Sequence, residues 1–277
     1  MKLGRYGVFG RAAVLTAERA RLMESLGFAA IWQGGSPPAD LAHVSALLDA
    51  TSTVKLATGI VNVWTADAVE VARSYHRIEA AHPGRFLLGI GVGHPETVAA
   101  YQSPYQTLVN YLDVLDAEGV PVERRVLAAL GPRVLRLAAA RAAGAHPYLV
   151  TPDHTRLARE ILGPEKLLAP EQRIVLEADP AQARELGRPS VVKPYLSLVN
   201  YTTNLQRIGF TEQDVAGQGS DRLIDGLVIS GDDAEIGRRL AEHHQAGADH
   251  VAVQIIAGRG DDYEAGYRRL AALLSLS

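Results

Sequence analysis

Two apolar segments that end in small residues are the part of this sequence best suited to hold a ligand. Residues 85–94 read RFLLGIGVGH, and residues 58–64 read TGIVNVW. Segments that are apolar throughout are typical of strands buried on both faces of a parallel sheet. Ligands bind beyond the carboxyl ends of such strands. Two adjacent strands that end in Gly or Asn therefore predict room for a flat ligand at this edge of the sheet.

The glycines of the first segment, Gly89, Gly91 and Gly93, alternate along it. Glycine has no Cβ, so a ring or a phosphate can approach its backbone closely. The same pattern is also typical of a plain tight turn. It differs from the G-x-G-x-x-G pattern of dinucleotide-binding folds. The next strand also lacks an acidic residue at its end, so the sequence argues against an NAD-dependent Rossmann enzyme.

A second binding segment is predicted where the fifth strand leads into a helix that begins at Pro132. A helix N-terminus presents free N–H groups and the positive end of the helix dipole, which suit a phosphate. Arg133 adds a guanidinium that can bind a phosphate. Thr151 stands before the following helix, where it is also a suitable capping residue. Phosphate binding and helix capping are compatible roles for Thr151.

The histidines do not predict a metal site. Residues 243–244 are both His but point to different sides of a predicted helix, and the chain contains no H-x-H or H-E-x-x-H pattern. His82 and His146 fall at predicted strand starts, on the face of the sheet that stabilises the fold. His94 and His154 fall on the face that reacts, where a histidine either bonds a loop or takes part in chemistry.

These segments depend on a regular alternation of helices and strands. An amphipathic helix, a glycine that stops it and an apolar strand recur along the chain. Eight strands are predicted, near 3–9, 28–33, 54–61, 85–91, 125–130, 146–150, 172–177 and 250–256. Eight strands that alternate with helices predict an α/β fold, a (β/α)8 TIM barrel, rather than an open sheet.

The connection between the seventh and eighth strands is much longer than the others. Helices are predicted around 180–209 and 232–246, and 221–229 is also expected to be helical. The pattern therefore predicts a helical excursion from the barrel between strands 7 and 8. Because no linker interrupts the chain, residues 1–277 are predicted to form a single domain.

Composition limits the function classes. Apolar residues make up 47% and charged residues 21% of the chain, which allows a large core. The net charge of −3, with scattered Lys and Arg, argues against a nucleic-acid partner. Cysteine is absent, which excludes disulfides, thiolate metal sites and a cysteine nucleophile. No signal-peptide segment and no membrane span are visible, so we expect a cytoplasmic protein whose partner is a small-molecule substrate.

Eight segments along the chain, in order, match a known group of enzymes. They are ESLGFAAIWQGGSP (24–37), LATGIVNVWTADA (56–68), HPGRFLLGIGVGHPE (82–96), LAALGPRVLRLAA (127–139), GAHPYLVTPDHTRLARE (144–160), LAPEQRIVLEADP (168–180), NYTTNLQRIGFTEQD (200–214) and AGADHVAVQ (246–254). The sequence resembles the bacterial-luciferase-like monooxygenase superfamily of flavin and deazaflavin oxidoreductases. Within it, the chain resembles an actinobacterial branch of F420-dependent oxidoreductases. The resemblance implies a TIM barrel, a homodimer and coenzyme F420, with FMN as the alternative cofactor.

The resemblance also implies where the cofactor lies. Relatives carry a non-proline cis peptide bond under the cofactor ring at the position of Gly59 and Ile60, so we expect a cis bond there. Asn62 can donate to and accept from the pyrimidine edge of the ring, or it can bond its own backbone in a turn. The other cofactor contacts that the resemblance implies are Gly91 and Gly93 for the ring, and Gly131, Arg133 and Thr151 for the tail.

One departure from the relatives concerns the proton donor. Many deazaflavin relatives place an acid–His pair just after strand 2, where this chain has Gly35 and Ser36. His94, or Gln33 ordering a water molecule, is the candidate replacement, whereas neighbouring Trp32 is expected to pack in the barrel. The predicted activity is hydride transfer between the deazaflavin C5 and a small organic substrate. The alternatives are an FMN-dependent monooxygenase and a non-catalytic (deaza)flavin-binding barrel.

Overall fold

The structure is a computed structural model, in which residues 1–93, 103–258, 260 and 262–276 are described. The strands of that part of the chain form one sheet. They are β1 (Tyr6–Arg11), β2 (Ala30–Gly34), β3 (Lys55–Gly59), β4 (Val61–Asn62), β5 (Phe86–Gly91), β6 (Arg125–Leu127), β7 (Gly144–Ala145), β8 (Leu167–Leu168), β9 (Glu171–Ile174), β10 (Val228–Ile229) and β11 (Val251–Ile255).

All strand pairs between described residues are parallel. The sheet runs in the order β10-β9-β11-β1-β2-β3-β5-β6-β7-β8, and β4 pairs with β5. Its parallel pairing brings the carboxyl ends of the strands to one edge, as the apolar segments predict. The predicted α/β class with a parallel sheet is confirmed.

Helices connect the strands and pack against the sheet. They are α1 (Ala17–Ser25), α2 (Ala42–Asp49), α3 (Ala68–Ala81), α4 (Pro104–Ala117), α5 (Pro132–Arg141), α6 (Pro152–Leu162), α7 (Pro180–Val192), α8 (Val199–Arg207), α9 (Glu212–Val215), α10 (Asp221–Leu227), α11 (Asp233–Gln245) and α12 (Tyr263–Leu273). Side chains of Thr16, Asp67 and Asp232 accept from backbone N–H groups of the first helical turns, as expected of N-caps. None of the described helices combines the length and the apolar character that a membrane crossing requires.

Prolines move two strands away from their predicted positions. The strand expected at 146–150 is β7 at Gly144–Ala145, because Pro147 has no N–H to donate and Leu149 adopts a φ of 56°. The strand expected at 172–177 begins earlier, as β8 and β9, which are separated by Ala169 and Pro170. The segment 221–229 is helical only to Leu227, since Val228 and Ile229 pair with β9 as β10.

Small and aromatic side chains fill the interior of the sheet. A cluster of buried apolar residues there contains Leu3, Phe9, Ala30, Trp32, Ala57, Leu87, Val126, Ala169 and Ala252. Trp32 is fully buried in it, as predicted. A separate cluster packs α7, α8 and α10 together around Val191, Leu205 and Leu223. The two clusters meet next to Tyr148, which contacts both.

Candidate functional site

A cavity of about 660 Å³ opens at the carboxyl ends of the strands. Its lining includes six residues at or next to the ends of β1, β3, β4, β5 and β7: Phe9, Gly59, Ile60, Asn62, Gly93 and His146. A second part of the lining follows β6 and includes Leu130, Gly131 and Arg133. The third part, Pro194, Tyr195, Asn200 and Tyr201, comes from the segment around α8. The cavity is therefore large enough for a planar ring system.

His146 lies in the cavity lining with one polar atom unpaired. Its Nδ1 is 2.6 Å from the carbonyl oxygen of Ala169, and burial lowers the pKa of His146 to about 4. A carbonyl oxygen only accepts, so Nδ1 carries the proton of the neutral ring and Nε2 is an acceptor. Nε2 is buried and has no hydrogen-bond partner among the described residues.

This position corrects the expectation that His146 belongs to the stabilising face of the sheet. The predicted strand started at residue 146, whereas β7 ends at Ala145. The shift places His146 just after the carboxyl end of the strand instead of at its start. Trp32 stacks on the His146 ring with centroids 4.1 Å apart and planes 15° apart. That packing fixes the orientation of the imidazole.

The peptide bond between Gly59 and Ile60 is cis, as predicted. Both residues line the cavity. A Cβ on Gly59 would lie 2.7 Å from Cε2 of Phe9 and 2.9 Å from Nε2 of His146. Only glycine therefore fits between these two rings without displacing one of them.

Asn62 lines the cavity, and its side chain also closes a turn. Its Oδ1 accepts a hydrogen bond of 3.0 Å from the backbone N–H of Trp64. A Cβ on Gly93 would lie 2.4 Å from the Nδ2 atom of Asn62. The side-chain oxygen of Asn62 therefore has the predicted turn role. The side-chain nitrogen, Nδ2, packs against Gly93 at the cavity wall.

The alternating glycines bring neighbouring strands close together. A Cβ on Gly89 would lie 1.8 Å from the carbonyl oxygen of Thr58, and a Cβ on Gly91 would lie 2.8 Å from Cβ of Ala128. Gly93 lines the cavity, but Gly91 is buried and does not. Close packing against the backbone of Thr58 therefore accounts for Gly89, and close packing against the side chains of Ala128 and Ile60 accounts for Gly91.

The predicted tail segment forms one side of the cavity. The guanidinium carbon of Arg133 lies 3.7 Å from the ring centroid of Tyr105, and both residues line the cavity. Within the described part of the chain, a Cβ on Gly131 would meet the Nη1 atom of Arg207 at 4.0 Å and no nearer atom. Thr151 stands at the N-cap position of α6, yet its buried Oγ1 makes no capping bond and it does not line the cavity.

The candidate catalytic residues have different positions. Gln33 is buried outside the cavity lining, where its Oε1 lies 3.1 Å from Nδ1 of His43. His94 lies outside the described residues. His154 is buried, with Nε2 2.8 Å from the carbonyl oxygen of Leu130. Ser36 and the preceding Gly35, in place of the acid–His pair, do line the cavity.

Tyr148, Tyr195 and Tyr201 surround the buried cation of Arg173 and form a further part of the cavity wall, which the sequence did not predict. Nη2 of Arg173 donates to the hydroxyl of Tyr148 at 2.7 Å, and its guanidinium lies 4.9 Å from the ring centroid of Tyr195. Its Nε forms an ion pair of 3.5 Å with Oε1 of Glu171. Burial raises the pKa values of Tyr148 and Tyr201, so both phenols stay protonated.

No periodic pattern marks these residues. Tyr148 follows β7, Arg173 lies in β9, and Tyr195 precedes α8, so only the folded chain brings them together. The one signal was the Y in GAHPYLV, next to the proline that ends β7.

Comparisons with known proteins agree with this fold. Residues 11–119 match the family model of luciferase-like monooxygenases. An F420-dependent secondary alcohol dehydrogenase, solved with an F420–acetone adduct, superposes with a TM-score of 0.78 at 14% identity, over 100% of this chain and 99% of that one. No curated protein matches the chain.

Of two other similar structures, one is also an F420-dependent enzyme and the other contains FMN. The coenzyme F420-dependent tetrahydromethanopterin reductase from Methanopyrus kandleri has a TM-score of 0.70 at 18% identity, over 98% of each chain. The oxygenating constituent of the Pseudomonas putida 3,6-diketocamphane monooxygenase, in complex with FMN, has a TM-score of 0.70 at 12% identity, over 98% of this chain and 97% of that one. The predicted resemblance to luciferase-like oxidoreductases is confirmed, and the prediction of an enzyme of that class is confirmed with it.

The residues fit a flat, anionic cofactor of the flavin or deazaflavin kind. The floor of the cavity, formed by Phe9, Gly59, Ile60 and His146, offers a buried unpaired acceptor at Nε2 of His146. The rim carries the exposed cations Arg11 and Arg133. A ring with N–H groups suits the floor, and an anionic tail suits the rim.

Proposed function

We propose that this protein is an oxidoreductase that binds coenzyme F420 in the cavity and exchanges hydride with a small organic substrate. One observation carries the proposal: a cavity of about 660 Å³ combines a floor of buried neutral groups with a rim that carries Arg11 and Arg133. When bound, a deazaflavin would act as an obligate two-electron carrier that accepts or donates hydride at C5. The protein must then align the substrate with the ring and exclude water.

The chain offers a separate set of residues for each task. The ring would pack on Gly59 and Ile60, beside Phe9 and His146. The tail phosphate would bind at Gly131 and Arg133, where the N-terminus of α5 adds its dipole. The wall of Tyr148, Tyr195 and Tyr201 would cover the substrate side and keep water away from it.

The second candidate is FMN-dependent monooxygenation on the same face. The family match is to luciferase-like monooxygenases, and one similar structure contains FMN. Gly35 and Ser36 stand where many deazaflavin relatives carry an acid–His pair, which favours a reaction that does not need that pair. A non-catalytic cofactor-binding barrel is the third outcome.

The proposed architecture is a closed (β/α)8 barrel. Residues 167–174 support closure, since β8 pairs with β7 and β9 pairs with β11 within that one segment. Helices α7 to α10 between β9 and β10 support the proposed helical excursion. The single domain over 1–277, the homodimer and the cytoplasmic location stay predictions.

Parallel calorimetric titrations with F420, FMN and NADPH test the proposal. We expect F420 to bind most tightly, FMN more weakly and NADPH not at all. Tighter binding of FMN than of F420 would favour the monooxygenase. If neither F420 nor FMN binds, the proposed cofactor site is rejected. Tight F420 binding without hydride exchange, across alcohols and enones followed by deazaflavin absorbance, would favour the non-catalytic protein.

A further inference from the structure

We propose that Nε2 of His146 is a fixed hydrogen-bond acceptor that recognises an N–H or O–H donor of the ligand at the cavity floor. This inference rests on the proposed function, since it assigns a recognition role to the floor of the same site. His146 is then a positioning residue. The chemistry it selects is a neutral hydrogen-bond donor.

The tautomer of His146 follows from its contacts. Nδ1 is held 2.6 Å from the carbonyl oxygen of Ala169, which can only accept. The ring is neutral because it is buried, and its pKa falls to about 4. Near pH 7 the one proton of the ring is therefore on Nδ1, and Nε2 presents a lone pair.

The lone pair of His146 has been left without an internal donor. Nε2 has no partner among the residues that the structure describes, although its exposed area is near zero. Leaving a buried acceptor unpaired is unfavourable, so such an atom calls for a partner or an explanation. Since His146 lines the cavity, a ligand is the partner that the site can supply.

The imidazole is also held rigidly. Trp32 stacks on the ring at 4.1 Å, and the ring of Phe9 lies 6.0 Å away with planes 22° apart. The residue beside Nε2 must be a glycine, because a Cβ at position 59 would lie 2.9 Å from that atom. An acceptor fixed in this way loses little conformational freedom when the ligand binds.

The lone pair on Nε2 determines which ligand groups can bind at the floor. A lone pair repels carboxylates and phosphates, so anionic groups are directed to the arginines at the rim. A pyrimidine imide N–H, which flavin and deazaflavin rings share, fits the floor, and so does a substrate hydroxyl. The shared chemistry is the donor, and the two sources can be separated by experiment.

The ring source is tested with the tail-less deazaflavin fragment and its derivative methylated at the imide nitrogen. We expect the wild-type protein to bind the unmethylated fragment about tenfold more tightly. His146→Phe, which keeps a flat ring but no acceptor, should weaken the fragment about tenfold and lose the discrimination. His146→Gln, which restores an acceptor, should recover part of both.

The substrate source is tested with the F420-loaded protein and the pair cyclohexanol and methoxycyclohexane. His146→Phe could lose the discrimination between cyclohexanol and methoxycyclohexane and keep the discrimination between the ring fragments. In that case the donor belongs to the substrate, and the proposal stands. Nitrogen NMR gives a direct readout, because the Nε2 signal of His146 should shift when a donor binds and no other histidine signal should shift as much.

Retained discrimination of both probe pairs in a folded His146→Phe protein would overturn the proposal. An unchanged Nε2 signal with saturating ligand would overturn it as well, and that measurement needs no variant. Failure of the proposed function is distinguishable, since the wild-type protein would then bind neither ring fragment.

Discussion

Two buried histidines at opposite ends of the sheet interior differ by a single hydrogen bond. His250 precedes β11, and its Nδ1 lies 2.9 Å from the carbonyl oxygen of Gly4, much as His146 contacts Ala169 after β7. Nε2 of His250 accepts from Nε1 of Trp32 at 3.0 Å, whereas Nε2 of His146 has no partner among the described residues. His250, at the end of the sheet that stabilises the fold, is therefore internally paired, whereas His146, at the end where we propose ligand binding, keeps an unpaired acceptor.

A strand glycine accompanies each histidine. A Cβ on Gly7 would lie 2.8 Å from Nε2 of His250 and 2.5 Å from the carbonyl oxygen of Ala30. A Cβ on Gly59 would meet the rings of Phe9 and His146 instead. The position of Gly7 is therefore confined by the backbone of β2 as well as by His250, whereas the atoms nearest to a Cβ on Gly59 belong to side chains.

The largest effect that we expect is a loss of stability in acid. Burial lowers the pKa values of His146 and His250 to about 4, from an ordinary value of 6.5. Between these values the unfolded chain binds more protons than the folded chain. The stabilisation is thus complete above about pH 6.5 and decreases towards about pH 4, by about 1.4 kcal/mol per pH unit for each histidine.

Urea unfolding from pH 7.5 to 4.5 measures this slope, and His243, whose pKa burial lowers to about 3, adds to it with the same sign. His146→Phe and His250→Phe should each remove about one histidine's share. A saturating ligand that donates to Nε2 should extend the share of His146 to lower pH, because it holds the ring neutral. Stability that does not change across this range would contradict the neutral, buried assignment of both rings.

Replacing Gly7 or Gly59 with alanine should have different effects at the two ends of the sheet. Gly7→Ala should destabilise the fold by about 3 kcal/mol, because the new Cβ meets the backbone of β2, which cannot move alone. Gly59→Ala should cost less stability but weaken ring binding strongly. Thermal unfolding and fragment titration measure the two effects.

Gly131→Ala is the matched control, since its Cβ would enter nearly open space and stability should change by less than about 0.5 kcal/mol. Equal losses of stability in Gly7→Ala and Gly59→Ala would remove the distinction between a backbone-confined and a side-chain-confined end.

Removing the imidazole from the closed end should affect folding and leave binding intact. His250→Phe strands the Nε1–H of Trp32 in the core and should cost about 2 kcal/mol of unfolding free energy. His146→Phe should cost less, because it also removes the unpaired Nε2. Chemical denaturation with a parallel fragment titration checks both variants. A His250→Phe protein that loses ring affinity as strongly as His146→Phe would show that the two ends are coupled.

The sequence predicted the parallel sheet well because its signals are local. FLLGIG, the apolar part of the first segment, forms β5, and the Gly-stopped helices end close to their predicted positions. The site was harder to predict, because it depends on strand ends that prolines displaced. The shift of β7 by Pro147 moved His146 to the opposite end of the strand from the one expected.

Long-range packing explains the other differences at the site. Gly91 was predicted to contact the cofactor ring, but its missing Cβ makes room for Ala128 and Ile60. Arg173 and Tyr195 meet across 22 residues of chain and two different elements, so no local pattern could join them. The sequence located the edge of the sheet at which the cavity opens, but only the fold shows which side chains line it.

The smallest effect separates the rim of the cavity from its floor. Arg133 lies over Tyr105 at 3.7 Å, at the start of α5 and away from His146. Arg133→Ala should weaken intact F420 about tenfold, or about 1.4 kcal/mol, through loss of one charge-assisted contact to the phosphate. The tail-less ring fragment should bind as before, whereas His146→Phe should weaken both ligands equally.

Arg136→Ala is the matched control for this last comparison, because Arg136 is an exposed arginine of the same helix that does not line the cavity. An exposed charge without a ligand contact contributes little, so F420 affinity should stay within about twofold. Calorimetry at two salt concentrations adds a second criterion, because a phosphate contact weakens with salt and a hydrogen bond at the buried floor does not. Equal losses of the intact cofactor and the ring fragment in Arg133→Ala would place the phosphate elsewhere on the rim, with Arg11 as the next cation to replace.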